Sequence, residues 1–277
     1  MVPARPASVY SWLVPQRLSV VLITCNEAAN LPRTLASVAW AHQIVVLDSG
    51  STDETEAIAR AAGAEFHYEP WRGFAAQKNA AIARATGDWV LSLDADEELS
   101  QALIAEIRQL LAQEPKEEKA YKIPRLNHFL GRPLRHGGYW PDPKLRLFPR
   151  DAARFRERAV HETMETALPV AQLEGHLIHH CYATLDEYIE HMNRYSAAAA
   201  RQLVAEGRAP RSLAALIAQA VLNPISTFLY NYGVRGGFLD GRSGLLQHLN
   251  HSAYIHWKYV KAWELAHTRT PHIHEQA

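Results

Sequence analysis

The 277-residue chain is poor in cysteine, balanced in charge and lacks the glycine motifs of common phosphate-binding loops. Its two cysteines, Cys25 and Cys181, are too few for a disulfide framework, which fits a reducing compartment. Lys plus Arg and Asp plus Glu both total 29, so no overall basic charge indicates nucleic acid, and we expect no such partner. The G-x-G-x-x-G dinucleotide fingerprint and the phosphate-loop lysine motif are both absent, which argues against a glycine-lined cofactor cradle.

The chain also lacks a long uninterrupted apolar run. Residues 1–16 mix prolines with polar groups, so we expect no secretory signal peptide there. The most apolar later stretch, residues 213–230, contains Gln219, Asn223 and Pro224. We interpret it as a membrane-surface helix or a buried helix rather than a span.

Charge is distributed unevenly despite the neutral total. Residues 120–158 contain ten Lys and Arg residues against three Asp and Glu residues. This local excess suits an anionic ligand, although a solvated basic face is the plain alternative.

Apolar runs of strand length alternate with helical patterns over the first 113 residues. We predict strands at residues 18–24, 44–48, 64–68 and 88–93, each followed by a helix. This alternation predicts βαβ units and a mostly parallel sheet. The second helix is expected to begin in a capping box formed by Ser51 and Glu54.

The predicted strands end in polar residues. The first ends at Thr24, the second at Asp48 and the fourth at Asp94, followed closely by Asp96. Ligands of open α/β sheets bind beyond the carboxyl ends of the strands, and carboxylate oxygens suit divalent cations. Asp94 and Asp96 point the same way if the strand continues through both. Glu97 and Glu98 are expected to start the next helix, where their charge favours the helix dipole.

The pattern changes after residue 120, first to short strands and then to helix. We predict an N-terminal arm at residues 1–17, a catalytic α/β domain at 18–180 and a helical region at 181–277. Aromatic residues alternate with lysines near the C-terminus, which favours a membrane interface or packing of that region onto the sheet. They are Tyr254, Trp257, Lys258, Tyr259, Lys261 and Trp263.

The order and spacing of these motifs resemble family 2 of the inverting glycosyltransferases, which have the GT-A fold. The matching segments are residues 20–27 (VVLITCNE), 46–53 (VLDSGSTD), 77–81 (QKNAA), 87–89 (GDW) and 94–96 (DAD). The chain further resembles the bacterial lipopolysaccharide-core β-1,4-glucosyltransferase group. That rests on residues 73–79 (GFAAQKN), 144–148 (KLRLF), 160–162 (VHE) and 240–244 (DGRSG). The resemblance implies a Rossmann-like, mostly parallel sheet flanked by helices, with a C-terminal helical appendage.

The resemblance assigns a nucleotide-sugar site to the strand ends. Asp48 would accept hydrogen bonds from the base or ribose, or else cap the turn before the next helix. Thr24, Asn26 and Glu27 would line the same pocket, although Asn26 is also suited to an ordinary turn. The remaining residues would contact ribose or phosphates: Lys78, Asp94 and Arg146. A solvated helix lysine is the alternative for Lys78.

The resemblance also implies a metal and a general base. Asp96 would bind Mg²⁺ or Mn²⁺ bridging the donor diphosphate, with Asp94 contacting ribose or metal and His161 as a later ligand or acceptor contact. Glu162 is the preferred base that takes the acceptor proton, and Asp142 is its rival.

The expected activity is therefore hexose transfer, with inversion, from a nucleotide sugar such as UDP-glucose. The acceptor would be a lipid-linked saccharide such as the lipopolysaccharide inner core, reached by an enzyme that is cytoplasmic and peripheral on the inner membrane. The alternatives are a sugar nucleotidyltransferase and a non-catalytic glycan- or lipid-binding protein of the same fold.

Overall fold

A computed structural model describes residues 16–113, 119–156 and 163–267, and these divide into two compact units. The first unit takes its described residues from Met1–Ile123, Pro143–Arg156 and Met164–Leu177. The second takes them from Pro124–Asp142, Glu157–Thr163 and Ile178–Ala277. The predicted bounds of arm, catalytic domain and helical region stay a prediction.

Strands alternate with helices in the first part of the chain and cluster in its middle. The strands are β1 (Leu18–Thr24), β2 (Gln43–Asp48), β3 (Glu65–Tyr68), β4 (Trp89–Asp94), β5 (Glu97–Leu99), β6 (Ala120–Ile123), β7 (Arg125–Phe129), β8 (Arg132–Pro133), β9 (Lys144–Pro149), β10 (Ala153–Arg156), β11 (Thr163–Thr166), β12 (Val170–Gln172) and β13 (Leu177–Tyr182).

Helices dominate the C-terminal part. They are α1 (Leu31–Val38), α2 (Thr55–Ala61), α3 (Phe74–Ile82), α4 (Gln101–Leu111), α5 (Leu185–Ala205), α6 (Leu213–Ile217), α7 (Asn223–Phe228) and α8 (Gly241–His267). Ala218–Leu222 and Leu229–Val234 are π-helical, and Gly237–Asp240 is a 3₁₀ turn.

The core of the first unit is a seven-stranded sheet in the order β12–β6–β9–β4–β1–β2–β3. The neighbours β4–β1–β2–β3 run parallel, whereas β9 runs antiparallel to β4 and β6. β2 is buried along its whole length, and β1 and β4 are buried almost throughout, because apolar side chains pack against both faces. The predicted α/β class, with a mostly parallel sheet and a helical C-terminal region, is confirmed.

The register of the parallel strands brings their polar ends to one edge. Thr24 of β1 lies opposite Asp48 of β2, and Ile23 lies opposite Asp94 of β4. Because the three strands are parallel, these carboxyl ends and the loops that follow them share that edge, as their sequence order predicts.

Three local predictions at this edge are wrong: the capping box, a strand through Asp96, and a helix that starts at Glu97 and Glu98. The capping box is absent: α2 begins at Thr55, and the Ser51 hydroxyl donates to Asp48 instead of capping a helix. The strand also does not continue through Asp96, because β4 ends at Asp94 and residues 95–96 form a turn. Glu97 belongs to the short strand β5, and Ser100 caps α4 by accepting a hydrogen bond from the Leu103 N–H (3.3 Å).

The second unit contains paired strands, a helical core and an exposed apolar helix. Strands β13, β7 and β8 pair in that order. Tyr188 of α5 is buried against Phe129 and Leu134, and α5 packs along α8. Leu213–Val234 is a run of 22 helical residues that is long and apolar enough to cross a membrane, and only 11% of its most apolar stretch is buried. The buried-helix interpretation of this stretch is therefore wrong.

Candidate active site

Asp48 fixes the loop that follows β2. One carboxylate oxygen accepts hydrogen bonds from the Gly50 N–H (2.8 Å) and the Ser51 N–H (2.7 Å). The other accepts from the Thr24 hydroxyl (2.7 Å) and the Ser51 hydroxyl (2.5 Å). Gly50 has φ +117°, a conformation that disfavours any residue with a Cβ. The loop therefore turns sharply around a buried carboxylate.

The four hydrogen bonds lower the pKa of Asp48 and occupy its acceptor positions. Burial raises the pKa of Asp48, but hydrogen bonds from Ser51, Thr24 and Gly50 outweigh this and leave the pKa lowered. A carboxylate has about four acceptor positions, and all of them are used here. In this conformation Asp48 acts on the shape of the loop, which matches the turn-capping alternative.

Asn26 ties the end of β1 to the same loop. Its backbone is in the left-handed region (φ 58°), which asparagine tolerates better than most residues. The Asn26 N–H donates to the Ser51 hydroxyl (2.7 Å), and its side-chain oxygen accepts from the Thr52 N–H (2.8 Å). Two strand-end loops that are distant in sequence are thus held together by reciprocal polar contacts.

Asp94 lies between two buried cations. One carboxylate oxygen is 2.8 Å from the Lys78 Nζ of α3, and the other accepts from the Arg146 Nη2 of β9 (2.5 Å). The side chains of Lys78 and Arg146 are each only 6% exposed. Burial raises the pKa of Asp94, but the Arg146 and Lys78 charges outweigh it and hold this pKa well below its usual range. The solvated-lysine interpretation of Lys78 is therefore wrong.

Glu97 completes this cluster and was missed by the sequence analysis. Its fully buried carboxylate accepts from Arg146 Nη2 (2.8 Å) and from the Asp94 N–H (3.1 Å). Burial lowers the pKa of Arg146, but the charges of Asp94 and Glu97 raise this pKa by a larger amount, so the guanidinium stays charged. Two cations thus balance two carboxylates in a buried group. The only sequence signal for Glu97 was its place three residues after Asp94.

Asn79 holds the Lys78 end of this cluster in place. Its amide donates to the Phe155 carbonyl and accepts from the Phe155 N–H, both at 2.8 Å, so α3 is fastened to β10. The Lys78 Nζ lies 5.1 Å from the centre of the Phe155 ring. The segment Gln77–Asn79 therefore serves the packing of the site as well as its charge.

Several carboxylates lie close together beside the buried cluster. The pKa of Glu27 is raised, chiefly by burial and also by the charges of Asp96, Asp53 and Asp94, although a hydrogen bond from Asn30 opposes the change. Asp53 is held by the Ala28 N–H (3.1 Å) and by Thr55. Lys78 and Arg146 pair with Asp94. The carboxylates of Asp96 and Glu27 add further negative charge, which would attract a cation.

Oxygen ligands of this kind suit Mg²⁺ or Mn²⁺. Within residues 16–113, 119–156 and 163–267, no cluster of three His, Cys, Asp or Glu side chains has the geometry of a metal site. A cation at Asp96 would therefore take further ligands from the donor's phosphates or from water, as Mg²⁺ commonly does. The donor set fits such a cation.

The predicted base and acceptor residues are not part of these two groups of contacts. Glu162 and His161 are outside the described residues. Asp142, in the second unit, accepts two hydrogen bonds from Arg125, from Nε (3.0 Å) and Nη2 (2.6 Å). The structure thus brings together Thr24, Asn26 and Asp48 in one group, and Lys78, Asp94 and Arg146 in another, with Glu27 and Asp96 beside them.

Comparison with known proteins identifies the class of this site. The family model "Glycosyl transferase family 2" matches residues 19–153, which contain β1, β2, β4 and the buried cluster. The chain belongs to glycosyltransferase family 2 and is a glycosyltransferase.

Particular relatives narrow the resemblance. The chain is 32% identical, over 89% of its length and 92% of the relative, to the lipopolysaccharide core biosynthesis glycosyltransferase LpsC of Rhizobium meliloti (strain 1021). It is 31% identical, over 73% of each chain, to an uncharacterized glycosyltransferase of Rickettsia bellii (strain RML369-C). The predicted resemblance to lipopolysaccharide core glycosyltransferases is confirmed.

Among solved structures, the chain matches glucosyl-3-phosphoglycerate synthase from Mycobacterium tuberculosis in complex with Mn²⁺, UDP-glucose and phosphoglyceric acid. The identity is 28%, over 38% of this chain and 43% of that one, with a TM-score of 0.31.

Proposed function

We propose that this enzyme transfers a hexose, with inversion, from a UDP-sugar to a lipid-linked saccharide. Glucose is the proposed sugar and the lipopolysaccharide inner core the proposed acceptor. The observation that carries the proposal is the carboxyl edge of β1, β2 and β4, where Lys78 and Arg146 hold Asp94 and where Asp96 and Glu27 add negative charge close by. The LpsC relative, named for lipopolysaccharide core biosynthesis, supports the acceptor class.

The strand-end loops would form the nucleotide subsite. Asp48 holds the loop, which leaves Thr24, Asn26 and Glu27 on the neighbouring strand end to line the pocket. Asp94 can accept a hydrogen bond from ribose only at the acceptor positions that Lys78 and Arg146 do not use. Arg146 keeps Asp94 ionised and oriented. If Arg146 contacted a leaving diphosphate, its guanidinium would have to break its ion pairs with Asp94 and Glu97.

Asp96 would hold Mg²⁺ or Mn²⁺ against the donor diphosphate. Such a cation offsets the negative charge that develops on the departing nucleotide. Glu27 adds negative charge at the same edge, which strengthens the attraction for a cation. His161 remains the proposed later ligand or acceptor contact.

The acceptor hydroxyl needs a general base for direct displacement at the anomeric carbon. Glu162 is the proposed base, with Asp142 as the alternative. Asp142 accepts two hydrogen bonds from Arg125 at the same carboxylate oxygen, so that oxygen is already engaged. This contact favours Glu162.

A lipid-linked acceptor is anchored in a bilayer, so we propose a cytoplasmic enzyme bound to the inner membrane surface. Aromatic and lysine side chains on α8 accord with this location, although several also pack within the second unit: Tyr259 contacts the cluster of Ala200 and Ala262.

The proposal is tested by hydrolysis of UDP-glucose and by its transfer in the presence of Mn²⁺. Asp96→Asn should reduce turnover at least about a hundredfold, since removal of one electrostatic contact to the reacting group commonly has that effect. Glu98→Gln is the matched control, because it alters a neighbouring, partly exposed carboxylate on β5 and should retain activity. Wild-type turnover in Asp96→Asn contradicts the metal assignment.

The base is tested separately. Glu162→Gln should lower transfer while leaving UDP binding unchanged, and Asp142→Asn should have the smaller effect. The reverse order would move the base to Asp142. A thermal-shift panel of nucleotide sugars with Mn²⁺ identifies the donor, because bound donor raises the apparent stability.

A further inference from the structure

The helical run Leu213–Val234, here called the apolar segment, exposes large hydrophobic side chains along its whole length. Their exposed fractions range from 44% to 77%. The side chains concerned are Leu213, Ile217, Val221, Leu222, Ile225, Leu229, Tyr230 and Val234. An exposed apolar surface of this length is unusual for a helix facing water.

The exposed residues of the apolar segment lie on one face of the helix, because they come in adjacent pairs that recur every four positions. Only Ala220 and Pro224 are buried between Leu213 and Val234. Leu222, Ile225 and Leu229, at the spacing i, i+3 and i+7, share that face and are each more than half exposed. A helix that lies in a membrane interface presents such an apolar face to the lipid, while its opposite side packs on the protein.

Several polar groups of the apolar segment pair with neighbours in the same unit, although the buried Gln219 Oε1 has no hydrogen-bond partner among the described residues. The Ser226 hydroxyl donates to the Asn223 carbonyl (2.9 Å), and the Thr227 hydroxyl donates to the Asn223 side chain (3.2 Å). The Ala220 carbonyl is 2.7 Å from the His256 Nδ1 of α8. Such internal pairing is what an apolar solvent demands of a helix.

Charge is arranged around the apolar segment as at a membrane interface. No charged residue occurs from Ser212 to Val234, and Arg211 and Arg235, both exposed, stand immediately beyond its ends. Between Gly207 and Trp263 the one acidic residue is Asp240, and its carboxylate is occupied by His136. The basic residues of that stretch are Arg208, Arg211, Arg235, Arg242, Lys258 and Lys261. Anionic lipid headgroups complement this pattern.

Both ends of the apolar segment are attached to the same unit. Before it, Ala209 packs against Leu203 and Ala262. After it, the Arg235 carbonyl accepts a hydrogen bond from the Gly137 N–H (3.0 Å). A helix that crossed a bilayer would carry one end to the far side, so these attachments favour an orientation in the membrane plane.

From these observations we propose that the apolar segment inserts into one leaflet of an anionic bilayer, parallel to the membrane plane. This makes the protein monotopic rather than peripheral. It deepens the proposed function by naming the element that holds the enzyme beside a lipid-linked acceptor, and it does not depend on which sugar is transferred.

The test is flotation of the full chain with vesicles of phosphatidylcholine and phosphatidylglycerol, followed by an alkaline carbonate wash. Wild type should float and resist the wash. Ile225→Asp with Leu229→Asp should lower the partition coefficient at least about a hundredfold, because an aspartate within a lipid-embedded helix is strongly disfavoured. Val170→Asp is the matched control, since Val170 is a comparably exposed residue (47%) on β12, and it should float normally.

A second measurement covers the case in which the double variant does not fold. Leu229→Trp should be quenched by brominated phosphatidylcholine beyond the background of the native tryptophans, whereas Val170→Trp should not. Three results would overturn the proposal: release of wild type by carbonate, unchanged flotation of a folded double variant, or a soluble wild-type dimer that this variant makes monomeric. Intact insertion without UDP-glucose turnover would instead overturn the proposed function alone.

Discussion

Arg146 and Asp94, 52 positions apart in sequence, form a partly buried ion pair in which Nη2 lies 2.5 Å from the carboxylate. The same nitrogen is 2.8 Å from the carboxylate of Glu97. The antiparallel register of β4 and β9, with Leu91 opposite Leu147, brings the two residues together. One guanidinium thus fixes the end of β4 and the strand that follows it.

Removal of this guanidinium should destabilise the fold. Arg146→Leu would leave Glu97 buried without its cation and Asp94 with Lys78 alone. We expect the free energy of unfolding to fall by about 3–5 kcal/mol, as for other buried pairs that lose one partner. Urea unfolding followed by circular dichroism measures this change.

Two further variants distinguish the effect of an unpaired buried charge on stability from the effect of losing any arginine. Arg156→Leu breaks the exposed pair with Glu165 and should cost about 1 kcal/mol or less. Adding Glu97→Gln to Arg146→Leu should recover part of the lost stability. Equal effects of the two single variants would contradict the central role of Arg146.

Asp48→Asn should loosen the loop after β2. The amide cannot accept at both positions, so at least two of the four donors lose their partner, at a cost of about 1–3 kcal/mol. The folded-state pKa of Asp48 lies below its ordinary value of 3.8. Its stabilisation is therefore present above pH 3.8 and disappears as pH falls through the folded pKa.

Unfolding at neutral and acid pH tests this dependence. The difference between wild type and Asp48→Asn should shrink in acid. Asp151→Asn, which alters a side chain that is 88% exposed, should match wild type at both pH values. A pH-independent difference would show that charge is not the reason for the effect.

Glu27→Gln should stabilise the metal-free protein at neutral pH. The pKa of Glu27 is raised above its ordinary 4.5, so the folded state binds a proton more tightly than the unfolded chain does. Its favourable contribution is present below pH 4.5 and is lost as pH rises through the folded pKa, after which the charge opposes folding. Glutamine removes this charge but can still accept from Asn30.

Thermal unfolding with and without Mn²⁺ measures both consequences. Glu27→Gln should melt at a higher temperature than wild type at pH 7 and gain less from added Mn²⁺. Equal gains from Mn²⁺ in both proteins would separate Glu27 from the cation site.

The sequence predicts the parts of this fold that depend on local pattern. The runs that became β1, β2 and β4 are apolar on both faces, so each could only be a buried strand. Their polar ends then had to meet at one edge of a parallel sheet. The position of Asp48 and Asp94 at that edge follows from sequence alone.

Three roles depended on tertiary contacts. Glu97 was expected at a helix start, because acidic residues favour that position, yet Arg146 draws it into the core. For Lys78 the sequence leaves open both a phosphate contact and a solvated helix lysine, and the ion pair with Asp94 excludes the second. Ser51 had the spacing of a cap but bonds to Asp48, which is nearer.

The sequence by itself determined the order of strands and helices and the acidic character of the site, because both arise from neighbours along the chain. Only the tertiary structure decided which charges neutralise one another, because those pairs come from α3, β4 and β9, segments that meet through the pairing of strands. It also brought Glu27, Asp94 and Asp96 close enough for their charges to interact, because they lie at or just after the ends of two different strands that pair in the sheet.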